Sequence, residues 1–485
     1  MTWRFRLAAL AVVAATADVP AGDWLQFRGP NGTGVSTEKN LPGEWSATTN
    51  VAWKAAVPGV AWSCPLVIGD KVIVTTAVAD GQPKPGAGGG FGGGGGGGGG
   101  RPGGGGGGGR GPDKTYTWKV VCLDKATGKE LWAKTAAEGK PKFGTHGSNT
   151  FATESPASDG ERVFAYFAAA GTVSAFDLTG KELWKTDLGA FPATNNWGTA
   201  SSVATHAGKV FVQCDNEEKS FVIALDAKTG KEVWKETRAE KTSWSSPYIW
   251  TTKARTDLVL LGGNKARGLD PATGKTVWEL SVGGGQCNTT PVGDEERLLV
   301  GTSMGGGGGG RPGGPGGAPP GGGGRPGGPG GGGMGGGPNS GTLFAVKAGA
   351  TGDITPKAGA TTSGGVLWAA AKAMPSASSP LLYDGHVYTF DRNGGTASCF
   401  DAATGKAAYT KERIPNAKAF WSSPWAYDGQ VFILDEAGVT HVLKAGATFE
   451  VVRTNALARD VYWATPSVAG GNLFIRGVDT LTCIK

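Results

Sequence analysis

The sequence predicts an all-β fold: an eight-bladed β-propeller of four-stranded antiparallel blades, closed by an N-terminal strand. Three observations predict it. One segment recurs eight times, usually about 44 residues apart. Each copy has room for four short strands and shows almost no helical periodicity. The last copy lacks a fourth strand, and a matching strand sequence lies just before the first copy.

The recurring segment begins at a Ser-Pro pair and ends at an aromatic residue. Its parts are an apolar run, Asp-Gly or Gly-Asp, a second apolar run, a glycine, apolar-x-Ala-x-Asp and Thr-Gly-Lys-x-x-Trp, as residues 155–184 show. The proline or its equivalent is Pro65, Pro156, Val203, Pro247, Pro291, Pro380, Pro424 and Pro466. Uninterrupted copies are 42 to 47 residues apart, and the two longer intervals each contain a glycine-rich insert. This period is typical of propeller blades.

Turn residues mark the connections within each copy. Asp-Gly pairs at 159–160, 384–385 and 428–429 predict hairpins, because glycine adopts a positive φ without a Cβ penalty. Copies three, five and seven are degenerate. Copy three lacks the proline, and the other two have Lys-Ala-Gly-Ala-Thr, at 347–351 and 444–448, in place of the usual turn.

An aromatic residue follows the Thr-Gly turn by four positions in five copies. Because it recurs so regularly, we expect it to seal each sheet against its neighbour, whereas a ligand site needs only one or two rings. A further tryptophan stands in the spare strand before the first copy. The predicted blade-docking residues are Trp53, Trp132, Trp184, Trp234, Trp278 and Tyr409.

Closure of the ring is predicted from the two ends of the repeat region. The eighth copy, residues 463–485, stops after its third strand, and the spare fourth-strand sequence is residues 51–54. Pairing of the two would remove both open edges. We therefore expect one propeller over residues 51–485.

The first 50 residues divide into two predicted segments. Residues 1–17 place two arginines before an uncharged apolar stretch and end in Ala-Thr-Ala, which predicts an export signal cleaved after Ala17 and a periplasmic or secreted protein. That stretch is too short to cross a bilayer, and no later segment could span one. Residues 18–50 are predicted to be a strap in which Trp24 and Phe27 pack against the propeller.

Charge, cysteine and histidine positions argue against several classes of function. The chain has 47 basic and 40 acidic residues, but six arginines lie in the signal or the glycine tracts, so the body is nearly neutral and nucleic acid is not an expected partner. Cys122, Cys399 and Cys483 share a repeat position that is alanine elsewhere, so we expect buried free thiols. The four histidines lack zinc-site spacing, and we expect them at the surface or at strand ends.

Two glycine-rich inserts, at 81–113 and 303–340, are predicted to be disordered, because they lack the apolar residues needed to offset the entropy of ordering. Each replaces the link between the second and third strands, in copies one and five. Blades four apart lie on opposite sides of an eight-bladed ring, so the inserts should leave the same face on opposite sides of the axis.

The Asp-x-x-Thr-Gly-Lys-x-x-Trp motif, followed by Ser-Ser-Pro, resembles the pyrroloquinoline-quinone (PQQ) type repeats of quinoprotein dehydrogenases and of the propeller lipoprotein of outer-membrane β-barrel assembly. The resemblance covers roughly residues 51–485 and implies the fold. For the dehydrogenases it also implies PQQ held over calcium, an Asp base and a vicinal disulfide. This chain has no adjacent cysteine pair and no residues that match the calcium and base positions. The acidic and amide residues near the blade mouths are no more than any propeller of this size would show: Glu154, Asn195, Asn196, Asn288, Asp391 and Asp435.

A candidate ligand site remains at four tryptophans, each three residues before the strand-opening proline: Trp62, Trp244, Trp421 and Trp463. They could pack between blades or ring one mouth of the axial channel. No catalytic residue and no metal ligand is predicted, and no cofactor is expected. The sequence favours a monomeric, non-catalytic binding or scaffold propeller that recognises an envelope protein or a glycan. The alternatives are a PQQ-dependent oxidoreductase with a degenerate site and a structural surface protein.

Overall fold

A computed structural model describes residues 22–85, 112–303, 341–392 and 394–485. Within these ranges the chain forms 33 strands in eight sheets, with two single-turn 3-10 helices at Pro30–Gly32 and Thr194–Asn196. The predicted signal at 1–17 and most of the two predicted inserts lie outside the described residues. No described helix is long and apolar enough to cross a membrane.

The strands are grouped by blade, and one strand, β1 (Val51–Ala56), precedes the first blade. Blade 1 has β2 (Leu66–Ile68), β3 (Lys71–Val78), β4 (Tyr116–Asp124) and β5 (Glu130–Gly139). Blade 2 has β6 (Ala157–Ser158), β7 (Arg162–Phe167), β8 (Thr172–Asp177) and β9 (Glu182–Asp187). Blade 3 has β10 (Ala204–His206), β11 (Lys209–Cys214), β12 (Phe221–Asp226) and β13 (Glu232–Thr237). Blade 4 has β14 (Tyr248–Thr251), β15 (Thr256–Leu261), β16 (Lys265–Leu269) and β17 (Thr276–Ser281).

The second half of the chain repeats the arrangement. Blade 5 has β18 (Val292–Gly293), β19 (Arg297–Val300), β20 (Leu343–Lys347) and, after the short β21 (Gly352–Asp353), β22 (Val366–Ala370). Blade 6 has β23 (Leu381–Tyr383), β24 (His386–Asp391), β25 (Thr396–Asp401) and β26 (Ala407–Arg413). Blade 7 has β27 (Trp425–Tyr427), β28 (Gln430–Leu434), β29 (Val439–Lys444) and β30 (Val451–Ala456). Blade 8 has β31 (Ser467–Ala469), β32 (Asn472–Arg476) and β33 (Thr480–Ile484).

Each blade is an antiparallel meander, and the first strands of neighbouring blades contact one another around the axis. The prediction of eight four-stranded antiparallel blades is confirmed. Blade 4 carries an addition that was not predicted: β21, from the altered turn of blade 5, pairs in parallel with the outer strand β17. The backbone N–H of Ile354 continues this pairing by donating to the Glu279 carbonyl.

The ring is closed by β1, which pairs antiparallel with β33 and becomes the fourth strand of blade 8. Trp53 lies opposite Cys483 in this pair, and the backbone N–H of Lys485 donates to the Asn50 carbonyl. The predicted closure by an N-terminal strand is therefore confirmed.

Five outer tryptophans use the same contact with the next blade. The Trp184 indole of blade 2 packs on Gly230 of blade 3, where a Cβ would lie 2.4 Å from the ring, and its Nε1 donates to the Ala227 carbonyl. Gly230 also has φ 68°, so the turn needs glycine for both its conformation and this close approach. The same contact is made by Trp53, Trp132, Trp184, Trp234 and Trp368.

The remaining predicted docking residues differ from this pattern. Tyr409 of blade 6 packs edge-on against Phe449 of blade 7, 5.4 Å between ring centroids. Trp278 lies over Gly268 of its own blade and donates to Asp257, because blade 5 lacks the Thr-Gly turn on which an indole could pack. Trp368 was missed, because the altered turn of blade 5 hides the motif that precedes it.

In the blades that have an outer aromatic residue, a small residue lies opposite it in the third strand. Cys122 is opposite Trp132, Ala175 is opposite Trp184 and Cys399 is opposite Tyr409. This register gives the reason why cysteine and alanine alternate at the position. All six cysteines are described, and all are unpaired.

The histidines follow the expectation only in part. His206 ends β10 and His386 begins β24. His441, by contrast, lies within β29 at 1% exposure, with Nε2 3.2 Å from Asp435. The expectation of a surface or strand-end position is therefore wrong for His441, whose Nε2 is bound to a buried carboxylate.

Candidate ligand-binding site

The four tryptophans predicted as ligand-binding residues line one cavity of about 610 Å³ on the propeller axis. They precede the first strands of blades 1, 4, 7 and 8, whose inner ends converge there. The corresponding residues of the other blades also line the cavity. This wall position is occupied by Trp62, Thr153, Ala200, Trp244, Asn288, Ala377, Trp421 and Trp463.

Three of the tryptophans form a continuous pile on one side. Trp421 stacks on Trp463 with ring centroids 3.8 Å apart, and Trp463 stacks on Trp62 at 5.1 Å. The guanidinium of Arg392 lies over the outer face of Trp421, 4.5 Å from the centroid. Glu436 accepts from Trp421 Nε1 and the Ser148 carbonyl accepts from Trp62 Nε1, so hydrogen bonds fix both rings.

The other side of the cavity contains a tryptophan that the sequence reasoning missed. Trp197 stacks on Trp244 with centroids 5.9 Å apart. It follows the 3-10 turn Thr194–Asn196 and lines the cavity together with Ala200, which leaves room at the wall position of blade 3. The signal that could have found Trp197 is a tryptophan three residues before a wall position that has lost its large side chain.

A closed ring of eight hydrogen bonds forms the narrow inner part of the cavity. In every blade the residue before the first-strand proline, or its equivalent, lies in this ring. Its backbone N–H donates to the side chain of the same residue in the next blade. The order is Cys64, Ser155, Ser202, Ser246, Thr290, Ser379, Ser423, Thr465 and back to Cys64, with donor to acceptor distances of 2.8 to 3.3 Å. Ser, Thr or Cys before the proline was a visible pattern whose meaning the sequence reasoning missed.

The strap forms the inner end of the cavity. Trp24 pairs with Val67 in blade 1, and Val35 pairs with Ala426 in blade 7. The loop between them contacts blades 2, 4 and 6. Phe27, in this loop, lines the cavity. The strap therefore crosses the channel and limits the depth of the cavity.

The polar groups of the cavity are mostly neutral. No Asp or Glu is among the lining residues, and Arg392 and His146 are the lining residues that can carry positive charge. The Nδ1 of His146 accepts from the hydroxyl and the backbone N–H of Ser148, which is a local turn. Burial lowers the pKa of His146, so the imidazole is largely neutral at pH 7.

Two of the residues considered for calcium come close together: Asn288 lines the cavity and donates to the Ser376 carbonyl, and the Ser376 hydroxyl donates to Asp391. Asp435 is bound to His441 instead, and Asn195 and Asn196 form the turn before Trp197. No described group of three His, Cys, Asp or Glu residues could hold a metal ion. Calcium takes about six to eight oxygen ligands and prefers carboxylates, so these residues do not fit it.

Glu154 is a buried acid next to the ring, at 2% exposure. It directly precedes Ser155, at a position where the other blades have serine, threonine or alanine. Its carboxylate accepts from the Thr199 hydroxyl. Burial raises the pKa of Glu154 to about 7.

An eight-bladed propeller with a blind, aromatic axial cavity is thus the class of protein that the fold and site define. The family model described as outer membrane protein assembly factor BamB matches residues 117–306 and 324–484, and the chain belongs to this family. No curated protein matches the chain in sequence.

Solved structures show the same fold at low sequence identity. BamB from Moraxella catarrhalis is 14% identical, covers 76% of this chain and 93% of its own, and has a TM-score of 0.50. Quinohemoprotein alcohol dehydrogenase from Comamonas testosteroni is 13% identical, with 96% and 81% covered and a TM-score of 0.54. Quinohemoprotein alcohol dehydrogenase ADHIIG from Pseudomonas putida HK5 is 11% identical, with 96% and 80% covered and a TM-score of 0.56. These likenesses concern the fold alone.

Proposed function

We propose that this chain is a non-catalytic binding propeller of the cell envelope or secreted space, and that its axial cavity binds a saccharide carried by an envelope glycan or glycoprotein. The observation that carries the proposal is the cavity itself: five tryptophans on the walls and a ring of hydroxyls at the inner end. The export-type sequence at 1–17 and the membership of the assembly-factor family support the location.

The distribution of polar and apolar surface in the cavity favours a saccharide. The Trp421–Trp463–Trp62 pile gives a broad apolar wall, and Asn149, Asn288 and Gln286 are among the amide side chains around it. A pyranose ring also has an apolar and a polar part: its C–H groups pack against indoles, and its hydroxyls bond to amides.

The polar groups do not support a hydrolase or an oxidoreductase. The Ser148 hydroxyl bonds to His146 within one turn, and no carboxylate among the lining residues could orient the imidazole. The oxidoreductase alternative gains support from the aromatic pile, which could stack on a planar quinone. Its calcium, however, would need carboxylate ligands, and no Asp or Glu is among the residues that line the cavity.

A glycan array tests the proposal. The full chain, labelled at one surface lysine, is applied to arrayed bacterial saccharides beside a Trp421→Leu/Trp463→Leu variant. A Trp234→Phe variant, altered at an outer tryptophan, is the matched control. We expect saccharides that retain the wild type and the control but lose the double variant by at least about tenfold, since two large apolar contacts disappear.

Two results would contradict the proposal. One is equal retention of all three proteins, which would place the saccharide outside the cavity. The other is a lack of any saccharide binding together with stoichiometric binding of PQQ in calcium, followed by dye reduction with alcohols, which would favour the oxidoreductase. Retention of an arrayed peptide library instead would assign the cavity to a protein partner.

A further inference from the structure

The inner ring leaves hydrogen-bond donors directed to no described protein atom. Each ring side chain accepts a backbone N–H from the blade before it, and a serine or threonine hydroxyl also has a proton of its own to donate. The hydroxyls of Ser202, Ser246, Thr290, Ser379 and Ser423 donate to no other group among the described residues. All five side chains lie in the cavity lining.

A buried guanidinium lies next to this ring, outside the residues that line the cavity. Arg28 of the strap is 0% exposed, and its Nη2 donates to the carbonyls of Thr33 and Pro380. Pro380 directly follows the ring residue Ser379. A Cβ on Gly34 would lie 3.0 Å from the Pro424 carbonyl and 3.3 Å from Arg28 Nε, which places the guanidinium near the residue after Ser423 as well.

The remaining donors of Arg28 are unsatisfied by protein. Its Nε and Nη1 are buried and have no partner among the described residues. Arg28 forms no salt bridge with any described carboxylate. Burial lowers its pKa to about 10, so the group is still charged at pH 7. An uncompensated charge in this position is costly unless an anion or water completes its hydrogen bonds.

A second guanidinium flanks the ring at blade 8. Arg476 is 0% exposed, and its Nη1 donates to the Ser63 carbonyl, one residue before Cys64. Its Nε and Nη2 also lack a partner among the described residues. Two guanidinium groups therefore flank the ring, and Glu154, the buried acid next to it, is about half protonated at pH 7 because burial raises its pKa to about 7.

From this geometry we propose that the throat, defined as the eight ring residues and Arg28, binds an oxyanion: the ring hydroxyls donate to it, and the buried guanidinium behind them supplies the opposite charge. A carboxylate or sulfate group fits hydroxyl donors beside a positive charge. The saccharide taken by the cavity would then be acidic, with its anionic group entering first. This last step rests on the proposed function, whereas the anion site stands on its own residues.

Cys64 reports on the throat, because it is a ring residue and lines the cavity. The alkylation rate of Cys64 is measured by peptide mass spectrometry on the intact protein, with neutral iodoacetamide and with anionic iodoacetate. We expect the iodoacetate-to-iodoacetamide ratio to fall about twofold in Arg28→Met, because loss of one positive charge from the throat weakens the attraction of the anionic reagent. An unchanged ratio in a folded variant would overturn the site.

Sulfate protection tests the same site without a substitution. Sodium sulfate should slow both reagents at Cys64 in a saturable way, relative to sodium chloride at equal ionic strength, while Cys214 in β11 serves as the internal control. This arm decides the question if Arg28→Met does not fold. An effect of sulfate that is equal at both cysteines, or that depends only on ionic strength, would contradict the proposal.

Two further measurements show whether the anion belongs to a saccharide, and whether the anion site or the saccharide site fails. Acidic sugars should bind at least about tenfold more tightly than their neutral parents, and Arg28→Met should remove the difference. Sulfate protection with equal binding of acidic and neutral sugars would retain the anion site but overturn its link to the saccharide. Trp421→Leu/Trp463→Leu should lose saccharide and keep sulfate protection, so failure of the cavity and of the throat can be told apart.

Discussion

Two sets of five tryptophans occupy different regions of this propeller and follow different rules. The outer set is Trp53, Trp132, Trp184, Trp234 and Trp368, and the cavity set is Trp62, Trp197, Trp244, Trp421 and Trp463. Every outer indole packs on a turn glycine of the next blade and donates to a backbone carbonyl there.

The cavity set has no common environment. Trp62 donates to a carbonyl and Trp421 to a carboxylate, while the Nε1 of Trp463 has no partner among the described residues. Four of its members stand at a wall position that is threonine, alanine or asparagine in the other blades. The fold therefore requires an aromatic residue at the outer position but does not require tryptophan at the wall position. Binding can then determine which residues occupy the wall.

We expect the largest loss of stability when Trp53, the first member of the outer set, is removed together with its strand β1. A chain without residues 51–57 loses β1, which leaves the edge of β33 unpaired. We expect aggregation and loss of the cooperative melting transition, measured by light scattering and calorimetry. A monomer that melts at the wild-type temperature would contradict closure by β1.

Trp184→Ala should be the next most damaging change. The indole is 8% exposed and seals blade 2 on blade 3, so its loss should lower the free energy of unfolding by about 3–5 kcal/mol. Urea denaturation provides the measurement, and Leu183→Ala, at an exposed position beside it, is the matched control. A loss no larger than that of the control would show that the outer set does not dock the blades.

Trp421→Leu/Trp463→Leu should reduce stability little and binding strongly, the reverse of Trp184→Ala. We expect a loss of about 1–2 kcal/mol in unfolding free energy, chiefly from the stacked pair, together with loss of saccharide binding. Denaturation and the glycan array are carried out on the same preparation. If the free energy of unfolding falls as much as in Trp184→Ala while saccharide binding is retained, the cavity set is structural.

A smaller effect on stability is expected at Glu154, another residue that differs in type from those at the same repeat position in the other blades. The pKa of the buried carboxyl is about 7, whereas in the unfolded chain it is about 4.3. Between these values the unfolded chain releases the proton first, so stability falls as pH rises from about 5 to 7 and then levels off.

Glu154→Gln cannot ionise and should remove this component. We expect the variant and the wild type to have similar unfolding free energies at pH 5, and the variant to be the more stable at pH 8. Glu161→Gln, at an exposed position in the neighbouring turn, should leave the pH dependence unchanged. Parallel pH profiles for Glu154→Gln and the wild type would show that Glu154 does not titrate as the burial implies.

The blades could be predicted from the sequence because the turn and packing residues recur at the same positions in the repeat. Glycines, Asp-Gly pairs and the Trp spacing recur, so eight copies corroborate one another, and the missing fourth strand identified β1 as the closing strand. Prediction was weakest where the repeat is broken: the altered turn after Lys347 hid both β21 and Trp368.

The cavity could be predicted only in part. The wall tryptophans share a repeat position and were therefore visible, but Trp197 lies outside it and reaches the wall only through the turn at Asn195. The position of Arg28 in the throat could not be predicted, because it depends on where the strap, which has irregular backbone, crosses the channel. Contacts made across the axis by non-repeated segments leave no periodic signal.

Fluorine NMR of the protein labelled with 5-fluorotryptophan tests the central claim most directly, because one spectrum contains both tryptophan sets. Resonances are assigned by Trp→Phe substitution, and the saccharide best retained on the array is titrated in. We predict that Trp62, Trp197, Trp244, Trp421 and Trp463 shift together along one binding curve while Trp132, Trp184 and Trp234 stay in place. Shifts confined to the outer set, or binding with no shift in the cavity set, would contradict the assignment of the axial cavity as the ligand site.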